Sequence, residues 1–361
     1  MRAAGLLLSL SCSIALISCK PKAVDTVIVE EEPTASDLSS LGKPRLSDYA
    51  FFTGTLRELE PAPGVVPYTV NAPLFSDYAF KKRFVKIPAG SKAKYKTDDV
   101  FEFPEGTVLI KTFYYPQDFR KPEEKIRLLE TRLLIKEESQ WKTLPYVWNG
   151  EQTEAFLEVA GNSKRVHWTH DDGMERNVNY SVPNTNQCKG CHLRAERISP
   201  IGLSARQLNR DFPYSSGKKN QLIYWSENNL LEGLPQKGTF PRLTAYEDPK
   251  APVALRARAW LEVNCAHCHR PDGPARNSGL HLLADVTNPA EYGVGKAPVA
   301  AGKGTGGRLF SIVPGKPEES ILQFRIESND PGMMMPELGR SIRHEEGVKL
   351  VREWIAGMKS F

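Results

Sequence analysis

Two five-residue motifs restrict this chain more than any other feature: Cys188-Lys189-Gly190-Cys191-His192 and Cys265-Ala266-His267-Cys268-His269. Each sets two thiols at a fixed separation and puts an imidazole directly after the second. That spacing lets the thiols add to two vinyl groups of one porphyrin while the imidazole reaches the iron. The expected cofactors are therefore two covalently bound haem c groups. Cys188, Cys191, Cys265 and Cys268 would attach them, and His192 and His269 would bind the two irons. The rival reading pools the four cysteines into one all-thiolate zinc site. It leaves the matching offsets of His192 and His269 unexplained.

The sixth ligand of each iron is read from the remaining soft donors. Met333, Met334 and Met335 follow the second motif, between Pro331-Gly332 and Pro336. A thioether there would close the second iron and raise its potential. Met335 is the expected ligand, because Pro336 stiffens the chain just after it. Between His192 and Cys265 there is no Met and no His, so a sixth ligand of the first iron comes from upstream or from the other end of the chain, or is absent. His167, His170 and Met174 lie upstream. His170 is preferred, since Asp171-Asp172-Gly173 can reverse the chain behind it. His267 is expected to point to solvent, and His281 and His344 to lie on the surface.

The chain has six cysteines. The two outside the motifs, Cys12 and Cys19, belong to an N-terminus that reads as an export signal. Arg2 is a minimal positive region, and residues 3–18 are apolar or small. They fall short of the roughly 20 apolar residues a membrane span needs. Leu16-Ile17-Ser18-Cys19 resembles a lipobox, which makes residues 1–18 a lipoprotein signal peptide and Cys19 the lipidated first residue. Lys20 after it favours the outer membrane. The expected location is thus exported and lipid-anchored, facing the periplasm or cell surface. Residues 19–44 read as the lipidated cysteine and a polar, disordered tether. That tether would span about 80 Å extended and about 27 Å as a coil.

Beyond the tether the expectation is a multidomain α+β chain. Residues 45–180 read as a β-sandwich-like domain. The strand candidates are Thr107–Tyr115, alternating Leu129–Ile135, and Trp141–Trp148, the last at an edge because of Pro145. Residues 181–250 are the first haem region, with helical stretches at Leu203–Arg210 and Gln221–Leu231. Residues 251–361 are a cytochrome c domain with helices at Ala254–Val263, Pro317–Ser328 and His344–Met358. Both haem regions are expected to be mostly α-helical. Net charge is +5, and no long Lys/Arg run is present. Haem propionates would offset much of that charge, so nucleic acid is not an expected partner.

With these residues in place the chain resembles a family of two-haem bacterial c-type cytochromes with an N-terminal β-rich domain and largely uncharacterised role. The resemblance covers most of residues 45–358. It is carried by Asn71-Ala72-Pro73-Leu74-Phe75-Ser76-Asp77-Tyr78, Glu130-Thr131-Arg132-Leu133-Leu134 and Tyr146-Val147-Trp148-Asn149. It continues through Pro183-Asn184-Thr185-Asn186-Gln187, Val313-Pro314-Gly315-Lys316-Pro317 and Met335-Pro336-Glu337-Leu338-Gly339. It implies a β domain fused to a cytochrome c fold, and a secreted β-helix protein as an associated partner. The expected function is electron transfer to redox partner proteins of the envelope. The alternative is a peroxidase-like haem oxidoreductase with its substrate site at the first haem.

Overall fold

The structure is a computed structural model that describes residues 41–359. The signal peptide, Cys12, Cys19 and the tether up to residue 40 lie outside the described residues. The last tether residues are packed: the Tyr146 hydroxyl donates to the Lys43 carbonyl at 2.8 Å, and the Leu157 amide to that of Pro44 at 3.0 Å. No described helix is long and apolar enough to cross a membrane.

The organising element is a six-stranded antiparallel meander. Its strands are β1 (Val65–Pro67), β2 (Phe80–Lys86), β3 (Val108–Pro116), β4 (Ile126–Glu137), β5 (Gln140–Trp148) and β6 (Ala155–Leu157), each paired with the one before. β-Branched and aromatic residues supply the alternation that a half-buried pleated surface requires. Pro145 sits next to the edge, with only the three-residue β6 beyond it, pairing with Tyr146 to Trp148. A two-stranded hairpin of β7 (Asn162–Thr169) and β8 (Glu175–Val182) follows.

Because side chains alternate across a strand, the sheet has two distinct faces. One carries Phe84, Ile110, Leu133, Leu144 and Trp148 against Leu46, Phe51 and Leu59. The other is divided along its length. At one end Val85 and Leu109 pack on Leu203, Leu208, Leu222 and Trp225. At the other, Phe113 and Leu129 pack on Trp168, Val178 and Tyr180 of the hairpin. Between these apolar ends runs a row in strict register, Arg83–Lys111–Arg132.

The expected β-sandwich-like domain followed by mostly α-helical haem domains is not what the chain forms: the described strands make one six-stranded sheet with small two-stranded ladders. Strand accounts for 28% and helix for 21% of the described residues, the sheets are small, and none closes into a barrel. The six helices are α1 (Thr185–His192), α2 (Ala205–Leu208), α3 (Gln221–Glu227), α4 (Val253–Cys265), α5 (Ile321–Glu327) and α6 (Glu345–Ala356). The shortfall has local causes. After the first motif the chain turns straight into a two-residue ladder, Leu193–Arg194 against Arg197–Ile198. The helix expected over Leu203–Arg210 shrinks to a single turn. The one expected over Pro317–Ser328 breaks at Ser320, whose backbone is extended. The buried Ser320 hydroxyl donates to the Lys316 carbonyl at 2.9 Å and accepts the Val313 amide at 2.9 Å. Such side-chain bonds to nearby backbone compete with helix.

The described residues belong to one compact unit. Residues 71–78 hold the sheet to the C-terminal helices. The Phe75 amide donates to Asn264 of α4 at 2.9 Å, and buried Asp77 accepts the Ser341 and Ile342 amides at 2.7 and 3.0 Å. The Tyr78 hydroxyl donates to Glu346 of α6 at 2.8 Å. α4 and α6 approach closely at Gly347, where a Cβ would stand 2.3 Å from Trp260 Nε1. Trp260, Leu261, Val351, Trp354 and Ile355 form the core between them.

Candidate functional site

Helix α1 delivers the first motif. Asn184 caps it: the Asn184 side chain accepts the Gln187 amide at 2.8 Å, and the Gln187 side chain accepts the Asn184 amide at 2.9 Å. This reciprocal pair satisfies two donors that a helix start leaves open. The helix lies on β5, and the Cys188 thiol is bonded to Thr143 there. Thr143 shares its face with the row Arg83–Lys111–Arg132, so the motif stands over that row.

The chain then reverses through Ala195 and Glu196, both in the left-handed region at φ 45° and 65°. That tight hairpin, typical of paired positive-φ residues, sets residue 199 opposite His192. The Ser199 amide donates to the His192 carbonyl, and His192 Nδ1 meets the Ser199 carbonyl, both at 2.8 Å. A carbonyl can only accept, so Nδ1 carries the proton and Nε2 keeps its lone pair. The second motif arrives at the same state by another route. Ser278 donates its hydroxyl hydrogen to the Ala275 carbonyl at 2.8 Å and therefore accepts from His269 Nδ1 at 3.0 Å. Fixing Nδ1 in this way is how proteins prepare an imidazole to bind metal through its other nitrogen. Burial pushes both rings down to about 4, so they are neutral at physiological pH.

The four described cysteines are free thiols. Burial, reinforced by the neighbouring thiols, pushes Cys265 and Cys268 up to about 12, and burial raises Cys188 and Cys191 as well. A reactive dithiol is favoured by the opposite shift. Among the described residues no three His, Cys, Asp or Glu side chains converge on a metal-ion site. In this structure the four thiols are not gathered into one tetrahedral set. An iron held in a porphyrin needs only one or two axial donors from the protein, which is what each motif offers.

The row beneath the first motif fits a group bearing carboxylates. Lys111 Nζ lies 4.7 Å, and the Arg132 guanidinium 4.4 Å, from the Phe113 ring centre. Arg132 is paired bidentately with fully buried Glu130, at 2.6 and 2.8 Å. Burial opposes the charge on Arg132, and Glu130 more than restores it. Lys81, Arg83 and Lys111 have no such partner. Burial and mutual repulsion push Lys81 down to about 7 and Lys111 well below the usual lysine range. The charge on Lys111 is felt at both His192 and Cys191. A group bearing carboxylates, such as a porphyrin with propionates, would complement this potential.

The two motifs touch. The Cys268 thiol contacts the Gly190 carbonyl at 3.4 Å. Arg194 adds a bridge, donating to Asp272 beyond the second motif at 2.6 Å and pairing with Asp99. At Gly190 an added Cβ would stand 2.6 Å from Leu338 Cδ1, so glycine leaves room for the Leu338 side chain beside the motif. Two clefts flank the contact. One, of about 450 Å³, is lined by Cys191, Asn264, His267, Met335, Arg340 and His344. Of the three adjacent methionines only Met335 is on its wall; Met334 is buried in the body. The other, of about 690 Å³, is lined by His192, Arg194, Arg206, His267 and Arg270 among others.

The upstream donors are turned elsewhere. His170 is buried, but Nδ1 accepts from Trp168 Nε1 at 3.3 Å and Nε2 faces Glu346 at 3.6 Å. His167 is exposed on β7, and Met174 is 64% exposed in the turn beyond. Two expectations of exposure also change. His344 is part-buried, accepting from Trp260 Nε1 at 2.8 Å with Nε2 facing Glu346 at 3.4 Å. His267 lines both clefts rather than pointing to solvent, and burial pushes it down to about 4.

Compared with protein-family models, with curated proteins and with solved structures, the chain finds no match in any of the three.

Proposed function

We propose that this protein is an exported two-haem c-type cytochrome that transfers electrons. One haem c is attached at Cys188 and Cys191 with His192 as iron ligand, the other at Cys265 and Cys268 with His269. The observation that carries the reading is the 3.4 Å contact between Cys268 and Gly190: two attachment motifs 77 positions apart (265 − 188) are folded against each other. A bound haem supplies reversible one-electron exchange at iron. The residues do the rest. Ser199 and Ser278 hold the imidazoles in the ligating tautomer, Met335 offers a thioether beside the second motif, and Arg83 offers positive charge to propionates, which would in turn restore the charge that burial takes from Lys81 and Lys111. The partners are redox proteins of the envelope, and Cys19 is the lipid anchor.

Holoprotein made with a haem-ligation system should exceed the chain mass by two haems. A redox titration should then resolve two one-electron steps. A mass gain of one haem, or bound zinc instead, would refute the proposal. Cys19→Ala should release the protein from the lipid fraction; an exported mutant that still fractionates with lipid would refute the anchor.

A further inference from the structure

We infer that His267, a residue inside the second motif, is the sixth ligand of the first haem. The inference rests on the two-haem reading above. Its basis is the placement of one side chain. His267 lines the same cleft as His192, the proximal ligand of the first haem. Its Nδ1 is sealed from solvent and completes no hydrogen bond, while the Val263 carbonyl pulls on the ring from one turn back in α4. With Nδ1 facing that carbonyl as the proton-bearing nitrogen, Nε2 of this part-buried ring keeps the lone pair. Its neighbours in the motif do not compete for it. The backbone from Cys265 to His269 continues the helical turn, with the His269 amide bonded to the Cys265 carbonyl at 2.9 Å. Residues two apart on such a turn project about 200° from each other. His269 and His267 therefore serve opposite sides: one its own haem, the other the haem of the neighbouring motif.

Other donors are less suitable. His170 has both nitrogens committed to Trp168 and Glu346, and Met174 is exposed. Lys111 is the nearest rival, but it does not line the cleft that His192 and His267 share. The pair of motifs then forms one ligation unit. The first haem is bis-histidine and the second His/Met, which places the first at lower potential. The chain that binds the second haem also closes the first.

The test uses holoprotein whose mass shows two haems; a mass with fewer overturns the two-haem reading and this inference with it. With two haems present, the reduced wild type should bind no carbon monoxide. His267→Ala should bind one per chain, and its oxidised form should show one high-spin haem while the methionine-to-iron absorption band persists. Added imidazole should return that haem to low spin. His267→Met, which keeps a ligand, should stay closed to carbon monoxide and raise the potential of the first haem. The inference is overturned if the wild type already binds one carbon monoxide with the methionine band intact. It is also overturned if His267→Ala stays fully low-spin, or if Lys111→Ala opens the first haem while His267→Ala does not.

Discussion

Replacing Glu130 by Gln tests the electrostatics of the sheet face most directly. Glu130 is fully buried, holds Arg132 bidentately and accepts the Tyr180 hydroxyl at 2.5 Å. Gln keeps the shape and can still accept from Tyr180, so the change removes charge and little else. Arg132 is then left beside Lys111 and Arg83, with no carboxylate in the row. Breaking one side of a buried pair costs about 3–5 kcal/mol. Arg132 keeps 25% of its side chain accessible, so solvent screening places the loss at the lower end, about 3 kcal/mol. With a urea slope of about 3 kcal/mol per molar, the midpoint should fall by about 1 M. The double variant Glu130→Leu with Arg132→Met should recover most of that, because both charges leave together. A Glu130→Gln midpoint within about 0.3 M of wild type, on the slope above, would show that the row is not held by this carboxylate.

Three further outcomes follow from the geometry. Met335→Ala should remove the methionine-to-iron band and lower the potential of the second haem, whereas Met334→Ala should lower stability and leave the band; the reverse pattern would reassign the ligand. Gly190→Val should drive the first motif against Leu338 and lengthen the Cys268–Gly190 contact, slowing electron equilibration between the haems in flash photolysis; an unchanged rate would show that the contact does not set their separation. In the chain before haem is attached, His192 and His269 sit near 4 when folded but near 6.5 when unfolded. The unfolded state binds more protons between those values. Stability should therefore fall as pH drops from about 6.5 toward 4 and be fully present above that window; urea midpoints across it that do not move would refute the assignment.

What could be read from sequence was whatever repeats locally. The long strands appear where β-branched and aromatic alternation places them, and α4 and α6 where an apolar stripe does. The motif residues needed no tertiary information. The helical content of residues 193–252 was overestimated because short apolar runs do not separate helix from packed turn. Ser320 shows why: a single hydroxyl bonding to Lys316 and Val313 ends a helix whose composition is otherwise favourable. The role of His267 was hidden because the position inside a motif says nothing about a second motif lying against it. His170 was misjudged because the turn behind it is real, the Gly173 amide donating to the His170 carbonyl at 2.8 Å, while the side chain is taken by Trp168 and Glu346. One signal was available and unused. Asn184 followed three residues later by Gln187 is a helix-start pattern, and it fixes where α1 begins.

The clamp at residues 71–78 has a consequence for how the chain can be made. Phe75 waits for Asn264, Asp77 for Ser341 and Ile342, and Tyr78 for Glu346. A chain emerging N-terminus first from a ribosome or a translocation channel presents this segment early and its partners last. Contacts of such long sequence separation form late. Until α6 has emerged, the edge beside Phe75 and Tyr78 stays open. Synthesis thus leaves a long interval in which the thiols of both Cys-x-x-Cys-His motifs are still reachable. Once the last helix docks, it completes the core that buries Cys265, and that interval closes.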